Sequence, residues 1–170
     1  MDEEEKKITS ELKAQEKKSK KELLLLLLFL LGSSKPQAYK LEKLRTKIAT
    51  LPSVGANVFE QDSKTLSVTN LPKIASNLLV LAQAKALATT SKVDLVKAVI
   101  PRVEVITSTE IFSGYNNAVV LNLPKESLVR YSAMLDACPR CLPLNGNIYK
   151  ISEAPSLPQH PRCKCVYVPL

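Results

Sequence analysis

The chain has no tryptophan, only four glycines and 5% aromatic residues in a length of 170. Strand-rich folds draw heavily on aromatic side chains and on glycine at tight turns, so this composition argues against a sheet-rich protein. The apolar fraction of 45% is nevertheless ordinary for a folded domain. We therefore expect a mainly helical protein, with a length that suits one domain plus an extension.

Histidine occurs once, and this scarcity limits the chemistry available to the chain. His160 lies among prolines, without an Asp or Asn motif that could complete a catalytic triad. Paired carboxylates and a glycine-rich phosphate loop are also missing. The C-x-x-C of Cys138 and Cys141 lies on a proline-rich turn, unlike a thioredoxin-type redox site at the start of a helix. We predict that the protein is not an enzyme.

The sequence also lacks an apolar run long enough to span a bilayer. Residues 23–31 form its longest run, nine residues, which is about half of what a spanning helix needs. Acidic residues 2–5 are unlike the positive start of a signal peptide, although two lysines precede the run and Gly32 follows it. We expect neither insertion nor export, and the thiols would then be made in a reducing cytosol. A membrane-surface or exported protein held by this run is the alternative.

Acidic charge is scarce outside the N-terminus. Residues 1–22 contain seven acidic and seven basic side chains, so the net charge of +8 lies entirely in residues 23–170. Such an excess is typical of a protein near a polyanion such as DNA, and solvated lysine-rich helix faces produce it as well.

Residues 2–31 are predicted to form one helix with two different halves. The first half is charged and has few apolar residues, so we expect it to be solvated or bound to a partner; if the second half inserts into a larger assembly, the first half would reach past the body. The second half is apolar on every side and must be buried on several sides, in the chain's own core or in a groove of a larger assembly. In the second case the residues that bind the partner are Leu23, Leu24, Leu27, Leu28, Phe29 and Leu31.

Apolar side chains recur at helical spacing in four further stretches, which predict the helical body. These stretches are residues 38–50, those from Pro72 onward, 91–101 and about 103–120. Ser91, three residues before Asp94, resembles a capping box, and Pro101 is expected to end or kink that helix. Residues 57–70 show no decisive pattern.

Strand character replaces helical periodicity after Leu123. It covers residues 128–135, 147–151 and 165–168, and Asn145-Gly146-Asn147 is a turn signal of the hairpin kind. We therefore expect a mainly α (α+β) fold in which a small β-hairpin knuckle holds the cysteines. Its predicted segments are an N-terminal helical extension at 1–34, a helical body at 35–124 and the C-terminal knuckle at 125–170.

All four cysteines and the only histidine lie in residues 138–165. A C-x-x-C and an H-x-x-C, eighteen residues apart, provide two pairs of soft ligands for a tetrahedral ion. Cys165 is a fifth candidate ligand. It allows Cys163 and Cys165 to form the second pair, in which case His160 would form a hydrogen bond and not bind the ion. The pattern predicts a structural zinc site, and disulfides or buried free thiols are the alternatives. The candidate ligands are Cys138, Cys141, His160, Cys163 and Cys165.

Two stretches, YSAMLDACPRCLPLNG at 131–146 and PQHPRCKC at 158–165, resemble the C-terminal signature of the phage Mu F-like minor head proteins. That family's pattern has an aspartate, a C-x-x-C, a Leu-x-Gly and a closing H-P-x-C-[RK]-C followed by a proline, here Pro169. Upstream, residues 106–117 resemble the family's Thr-Glu-containing helix, with Ser108 where an arginine is usual. The residues that match the family motif and are taken as structural are Thr109, Glu110, Asp136, Gly146 and Pro161.

The resemblance covers about residues 100–170 and implies a virion protein made in the host cytoplasm. It implies a minor component of a tailed-phage head, associated with the portal and acting in head assembly or in genome packaging or ejection. Its partners would be the portal or other head proteins, with non-specific contact to packaged DNA and no small-molecule substrate. The main alternative is a nucleic-acid-binding zinc module, which the basic charge allows but for which Tyr149 and Tyr167 are the only nearby stacking rings.

Overall fold

The computed structural model describes residues 3–59, 68, 70–89, 91–134 and 137–170. In this part of the chain five α-helices precede one three-stranded antiparallel sheet, as expected for a mainly α fold with a small C-terminal sheet. The helices are α1 (Glu3–Gly32), α2 (Gln37–Ala49), α3 (Leu51–Ala56), α4 (Leu71–Ala88) and α5 (Lys92–Asn122). The strands are β1 (Leu128–Ser132), β2 (Ile148–Lys150) and β3 (Val166–Pro169).

Helix α1 confirms the single long helix predicted at the N-terminus, but its charged half does not reach past the body. Thr9 and Leu12 are buried in that half, and the same stripe continues through Leu23, Leu27 and Leu30, all fully buried. Most residues of the first half are exposed, as expected, but the expectation that it lacks anchoring residues was wrong, because a few residues at helical spacing suffice to hold a helix on a surface that the rest of the fold provides.

The apolar half of α1 is buried mainly in the protein's own core. Leu23 and Leu27 are fully buried there, so neither is available to a partner, contrary to the partner-binding expectation for these two residues. Leu24, Leu28 and Leu31 are half-buried, and Phe29 is 68% exposed. No helix in the described part of the chain is long and apolar enough to cross a membrane.

The N-terminal end of α1 is joined to the sheet by a buried carboxylate. Glu5 is 7% exposed and accepts hydrogen bonds from the Arg130 guanidinium, at 3.4 Å, and from the Ser132 hydroxyl. A buried charge is tolerated only when it is paired and hydrogen-bonded, so this contact specifies where α1 begins on the sheet.

Helix α5 is one helix of 31 residues rather than the two that Pro101 was expected to separate. Its start was predicted correctly, because the Ser91 side chain accepts a hydrogen bond from the Asp94 backbone N–H at 3.4 Å. A proline inside a helix removes one backbone hydrogen bond and crowds the preceding turn. The buried positions Val99, Val103 and Ile106 continue the same face across Pro101, so tertiary packing offsets that local cost.

Helix α3 crosses α5 at backbone contact. A Cβ atom built on Gly55 would lie 1.8 Å from the Ile111 carbonyl oxygen, and one built on Gly114 would lie 2.0 Å from the Pro52 carbonyl oxygen. Because neither backbone can give way as a flexible side chain would, both positions require glycine. This crossing sets the distance between the N-terminal helices and α5.

The sheet has the order β2-β1-β3, with β1 in the centre. Arg130 pairs with Ile148 on one side and with Val168 on the other. β1 and β2 form an antiparallel pair, but 15 residues connect them, and the Asn145-Gly146-Asn147 turn does not join them directly. Instead Gly146, at a φ of +81°, lets the chain enter β2, and its N–H donates to the Tyr131 carbonyl at 2.8 Å.

The outer edge of β3 is hydrogen-bonded by side chains of α5. The Asn116 amide donates to the Cys165 carbonyl at 3.0 Å and accepts from the Tyr167 N–H at 2.9 Å. The Tyr115 hydroxyl donates to the Tyr167 carbonyl at 3.0 Å. These hydrogen bonds pair backbone N–H and C=O groups along the edge of β3 that would otherwise be buried without partners. They also hold the end of the chain against the helical body.

The contact between α3 and α5 predicts that Gly114→Ala destabilises the fold by at least about 2 kcal/mol, because the added methyl group meets backbone atoms. Gly32→Ala is the matched control, since nothing lies within 4 Å of a Cβ at that position. Urea unfolding followed by circular dichroism measures both. Equal free energies of unfolding for the two variants would contradict the crossing geometry.

Candidate metal centre

The first pair of candidate ligands lies on a tight turn after β1. The Cys138 carbonyl accepts hydrogen bonds from the N–H groups of Cys141, at 2.9 Å, and Leu142, at 3.1 Å. This turn directs both side chains to the same side, so the Cys138 and Cys141 sulfurs are 3.6 Å apart. The C-x-x-C spacing therefore produces the paired thiols expected from the sequence.

The second pair is built in the same way. The Cys163 N–H donates to the His160 carbonyl at 3.0 Å, which closes a turn between the two residues. His160 Nδ1 lies 2.8 Å from the Pro161 carbonyl oxygen, which can only accept, so Nδ1 carries the hydrogen in the neutral ring. The Nε2 lone pair is then free and points to the thiols, 3.0 Å from the Cys138 sulfur and 3.6 Å from the Cys141 sulfur.

Cys141 lies at the centre of the cluster. Its sulfur is 3.9 Å from the Cys163 sulfur, and it belongs both to a group with Cys138 and His160 and to a group with Cys163 and Cys165. Within each group the ligand atoms lie within 4.8 Å of one another. All five predicted ligands are thus brought together, and they could hold a metal ion.

Hydrogen bonds inside the cluster favour a thiolate at Cys163. The neighbouring Cys165 thiol lowers the pKa of Cys163 to about 5, while the nearby Cys163 sulfur and burial raise the pKa of Cys165. The pKa of His160 is raised, first by its hydrogen bond to the Pro161 carbonyl. A deprotonated sulfur at neutral pH is the form that binds metal, so Cys163 is the ligand best prepared for it.

Tyr131 closes the buried side of the cluster and was not among the predicted site residues. It is fully buried, and in the described part of the chain its hydroxyl has no hydrogen bond of normal geometry. Burial and the neighbouring thiols of Cys141 and Cys165 raise the pKa of Tyr131. Its ring packs edge-on against Tyr167 at 6.2 Å. Its inward position in the alternation of β1 was the available sequence signal.

The residues that match the family motif take different positions. Thr109 accepts a hydrogen bond from the Arg162 N–H at 3.0 Å, which holds the turn of the second ligand pair against α5. Pro161 provides the carbonyl bound by His160, and Gly146 forms the turn before β2. Glu110 is half-buried on α5. Asp136 lies outside the described residues.

Comparisons with protein-family models, with curated proteins and with solved structures found no match to this chain.

The cluster predicts that the protein binds one divalent metal ion per chain and that a free metal concentration 100-fold above Kd stabilises it by about 2.7 kcal/mol. Elemental analysis and thermal unfolding with and without EDTA measure the two effects. Because Cys141 belongs to both ligand groups, Cys141→Ser should abolish the shift, whereas Ser156→Ala serves as a control outside the cluster. An EDTA-insensitive melting temperature in the wild type would contradict the metal centre.

Burial raises the pKa of Glu110 from 4.5 to about 7, and this shift predicts a pH dependence of stability. The folded state keeps a proton that the unfolded state releases near pH 4.5, so stability falls as the pH rises from about 4.5 to about 7. Glu110→Gln should remove this loss, which is on the order of 1–2 kcal/mol after allowance for partial exposure. Urea unfolding at pH 5 and pH 8 tests it, with the exposed Glu153→Gln as control. A loss that persists unchanged in Glu110→Gln would assign the pH dependence to another group.

Proposed function

We propose that this protein is a minor structural component of a tailed-phage head, associated with the portal, whose C-terminal knuckle is closed by a structural zinc ion. The observation that supports this most directly is that the five residues resembling the phage minor-head signature form two adjacent groups that share Cys141, one with Cys138 and His160 and one with Cys163 and Cys165. Thr109, from the upstream part of the same signature, contacts the loop between His160 and Cys163. Motif residues far apart in the chain thus serve one local structure.

Zinc fits the donor set and its spacing. Tetrahedral zinc with bonds of about 2.3 Å to sulfur and 2.0–2.1 Å to nitrogen separates its ligand atoms by about 3.5–3.8 Å. The separations of 3.6, 3.6 and 3.9 Å around Cys141 are close to these values, and the 3.0 Å between Cys138 and His160 requires only a small widening. Thiolate and imidazole ligands also favour zinc over magnesium or calcium.

The proposed ligands are Cys138, Cys141, His160 and Cys163, with the Cys165 sulfur as a neighbour within 4.8 Å of the Cys141 and Cys163 sulfurs. Such outer partners orient ligands and tune their basicity. Four protein ligands leave no open position on the ion, so the metal would stabilise the knuckle without binding a substrate. In this proposal the protein is not an enzyme.

The exposed part of the leucine run is the proposed contact with the portal or a neighbouring head protein. Phe29 and Leu25 lie four residues apart on α1, so they share a face, and they are 68% and 57% exposed. The half-buried Leu24, Leu28 and Leu31 border this face. Together with the half-buried leucines beside them, the two exposed side chains form a contiguous apolar surface, and such surfaces mark sites of protein–protein contact.

A nucleic-acid-binding zinc module is the second candidate function. The observation in its favour is a set of basic side chains on α1 and on the loop that holds His160 and Cys163. The export alternative is weaker, because Leu23, Leu27 and Leu30 are buried in the core and cannot enter a membrane while the protein is folded.

The proposed function predicts that the protein is present at a low and constant copy number in DNA-filled phage particles from a strain that encodes it. Quantitative mass spectrometry of filled particles and of particles that have ejected their DNA measures this. Loss on ejection would assign a delivery role, and retention would assign a permanent portal-associated role. Complete absence from particles would overturn the proposal and favour the nucleic-acid module.

Incorporation of variants into the same phage particles tests whether the surface around Leu25 and Phe29 binds a head protein. Phe29→Gln removes an exposed ring without opening a cavity, so stability should be unchanged while incorporation falls at least severalfold. Leu87→Gln is the control, because Leu87 is 91% exposed on α4, away from this face. Normal incorporation of Phe29→Gln would assign portal binding to another surface.

A further inference from the structure

A cleft of about 700 Å³ lies beside the Cys/His cluster, between α1, α5 and the loop at 158–165. Its walls include Cys138, His160 and Cys163 on one side. Five basic and two acidic side chains also line it, which leaves a surplus of three positive charges among them. These side chains are Lys13, Lys17, Lys20, Arg162, Lys164, Glu16 and Glu104.

Both carboxylates of the cleft are already paired. Lys164 lies 2.9 Å from Glu16, a side chain that is only 12% exposed. Lys20 lies 2.9 Å from Glu104, and the Arg162 guanidinium lies 3.8 Å from the same carboxylate. A zinc site with three thiolates would carry one negative charge and reduce the surplus to two. The cleft is therefore basic whether or not the metal is bound.

Lys13 and Lys17 provide most of the unpaired charge. They lie one turn apart on the exposed face of α1, and neither forms an ion pair within the described residues. Lys20 follows after three more residues, so the three lysines form one stripe along the cleft. Lysines held this close repel one another, and an anion between them would remove that repulsion.

Ser108 provides a second and independent feature of the cleft. Its side chain is 1% exposed, lines the cleft and has no hydrogen-bond partner for its hydroxyl in the described part of the chain. The neighbouring Thr107 hydroxyl donates to the Val103 carbonyl at 3.0 Å, which is the usual solution for such a group inside a helix. A buried hydroxyl without a partner is costly, and a ligand that accepts its hydrogen bond would recover that cost.

Arg162, on the loop at 158–165, is held in place by contacts with α5. The Arg162 backbone N–H donates to the Thr109 hydroxyl, and one guanidinium nitrogen donates to the Pro101 carbonyl at 3.0 Å. The backbone φ of Arg162 is +66°. The remaining guanidinium donors are available, and arginine presents them in a planar fork that matches a phosphate. The cleft thus combines fixed donors with mobile lysine charges.

We propose that this cleft is a phosphate-binding site, in which Lys13, Lys17, Arg162 and the Ser108 hydroxyl contact the phosphate oxygens. Phosphate suits these groups because it carries negative charge and only accepts hydrogen bonds here. The inference that the cleft binds a phosphate group depends only on the residues of the cleft. The further inference that this phosphate belongs to the DNA backbone rests on the proposed function. The other molecule that could supply the phosphate is a free phosphorylated small molecule.

The test uses the whole 170-residue chain as purified, with a short duplex DNA and with inorganic phosphate as separate probes. Lys13→Gln/Lys17→Gln removes two charges from the cleft. Lys73→Gln/Lys85→Gln removes two exposed charges from α4, outside the cleft, and is the matched control. If DNA is the ligand, the cleft variant binds it at least about tenfold more weakly, and the slope of log K against log salt falls by about 2. The control should retain affinity and slope.

Ser108→Ala separates ligand binding from a structural role. Because the hydroxyl has no partner in the described protein, its removal should leave the melting temperature equal or higher while the affinity for the bound probe falls about tenfold. A lower melting temperature with unchanged affinity would show that Ser108 acts in the fold and not in the site.

The two sources of phosphate give different patterns. DNA binding lost only in the cleft variants identifies the backbone as the ligand. Inorganic phosphate bound through the cleft, with DNA binding absent or unaffected by the variants, identifies a small phosphorylated ligand. Binding of neither probe, or equal losses in the cleft variant and the control, overturns the proposal. Absence of the protein from phage particles would refute the proposed function and leave these binding results unchanged, so the two failures are distinguishable.

Discussion

The hydrogen bonds between Asn116 and β3 are the interaction on which the rest of the structure depends. Asn116 is 1% exposed, and its amide bonds the Cys165 carbonyl and the Tyr167 N–H in place of a fourth strand. The last strand is thereby held to the central helix, and the loop that holds His160 and Cys163 is held with it. A side chain with only one of these two functions, donor or acceptor, would leave a buried backbone group unpaired.

This attachment explains why the cluster and the cleft are neighbours. The loop at 158–165 supplies His160 and Cys163 to the cluster and Arg162 and Lys164 to the cleft. One short loop therefore provides candidate metal ligands and basic side chains to adjoining sites, and His160 and Cys163 line the cleft as well. In the proposed function a metal ion that orders this loop would also position Arg162, so metal and phosphate binding would be thermodynamically linked.

Helix α1 shows how one element can serve both the core and the surface. Its buried stripe joins it to α5 and to the sheet, its lysine stripe lines the cleft, and Phe29 remains exposed near its C-terminal end. These roles fall on different faces because residues three or four apart share a face of a helix and intermediate residues do not. The leucine run, apolar on every side, is thus used partly for folding and partly for the proposed contact with another protein.

Much of the fold was predictable from local patterns. The long N-terminal helix, the Ser91 start of α5 and the last strand all follow from spacing and capping, which act over one or two turns. The separation into two helices at Pro101 was predicted wrongly, because the local cost of a proline is offset by a buried face that exists only in the folded protein. The burial of Thr9 and Leu12 was missed for the same reason.

The sequence by itself determined the candidate ligands, since thiols and imidazole are rare here and their C-x-x-C and H-x-x-C spacings make paired turns. Tertiary structure decided that Cys141 belongs to both ligand groups, that Tyr131 closes the buried side, and that the lysines of α1 and Arg162 line the same cleft. These relations join residues that are distant in the chain, by 22 positions for Cys141 and Cys163 and by 149 for Lys13 and Arg162. They depend on how α1, α5 and the sheet pack together, and no local pattern in the chain encodes that packing.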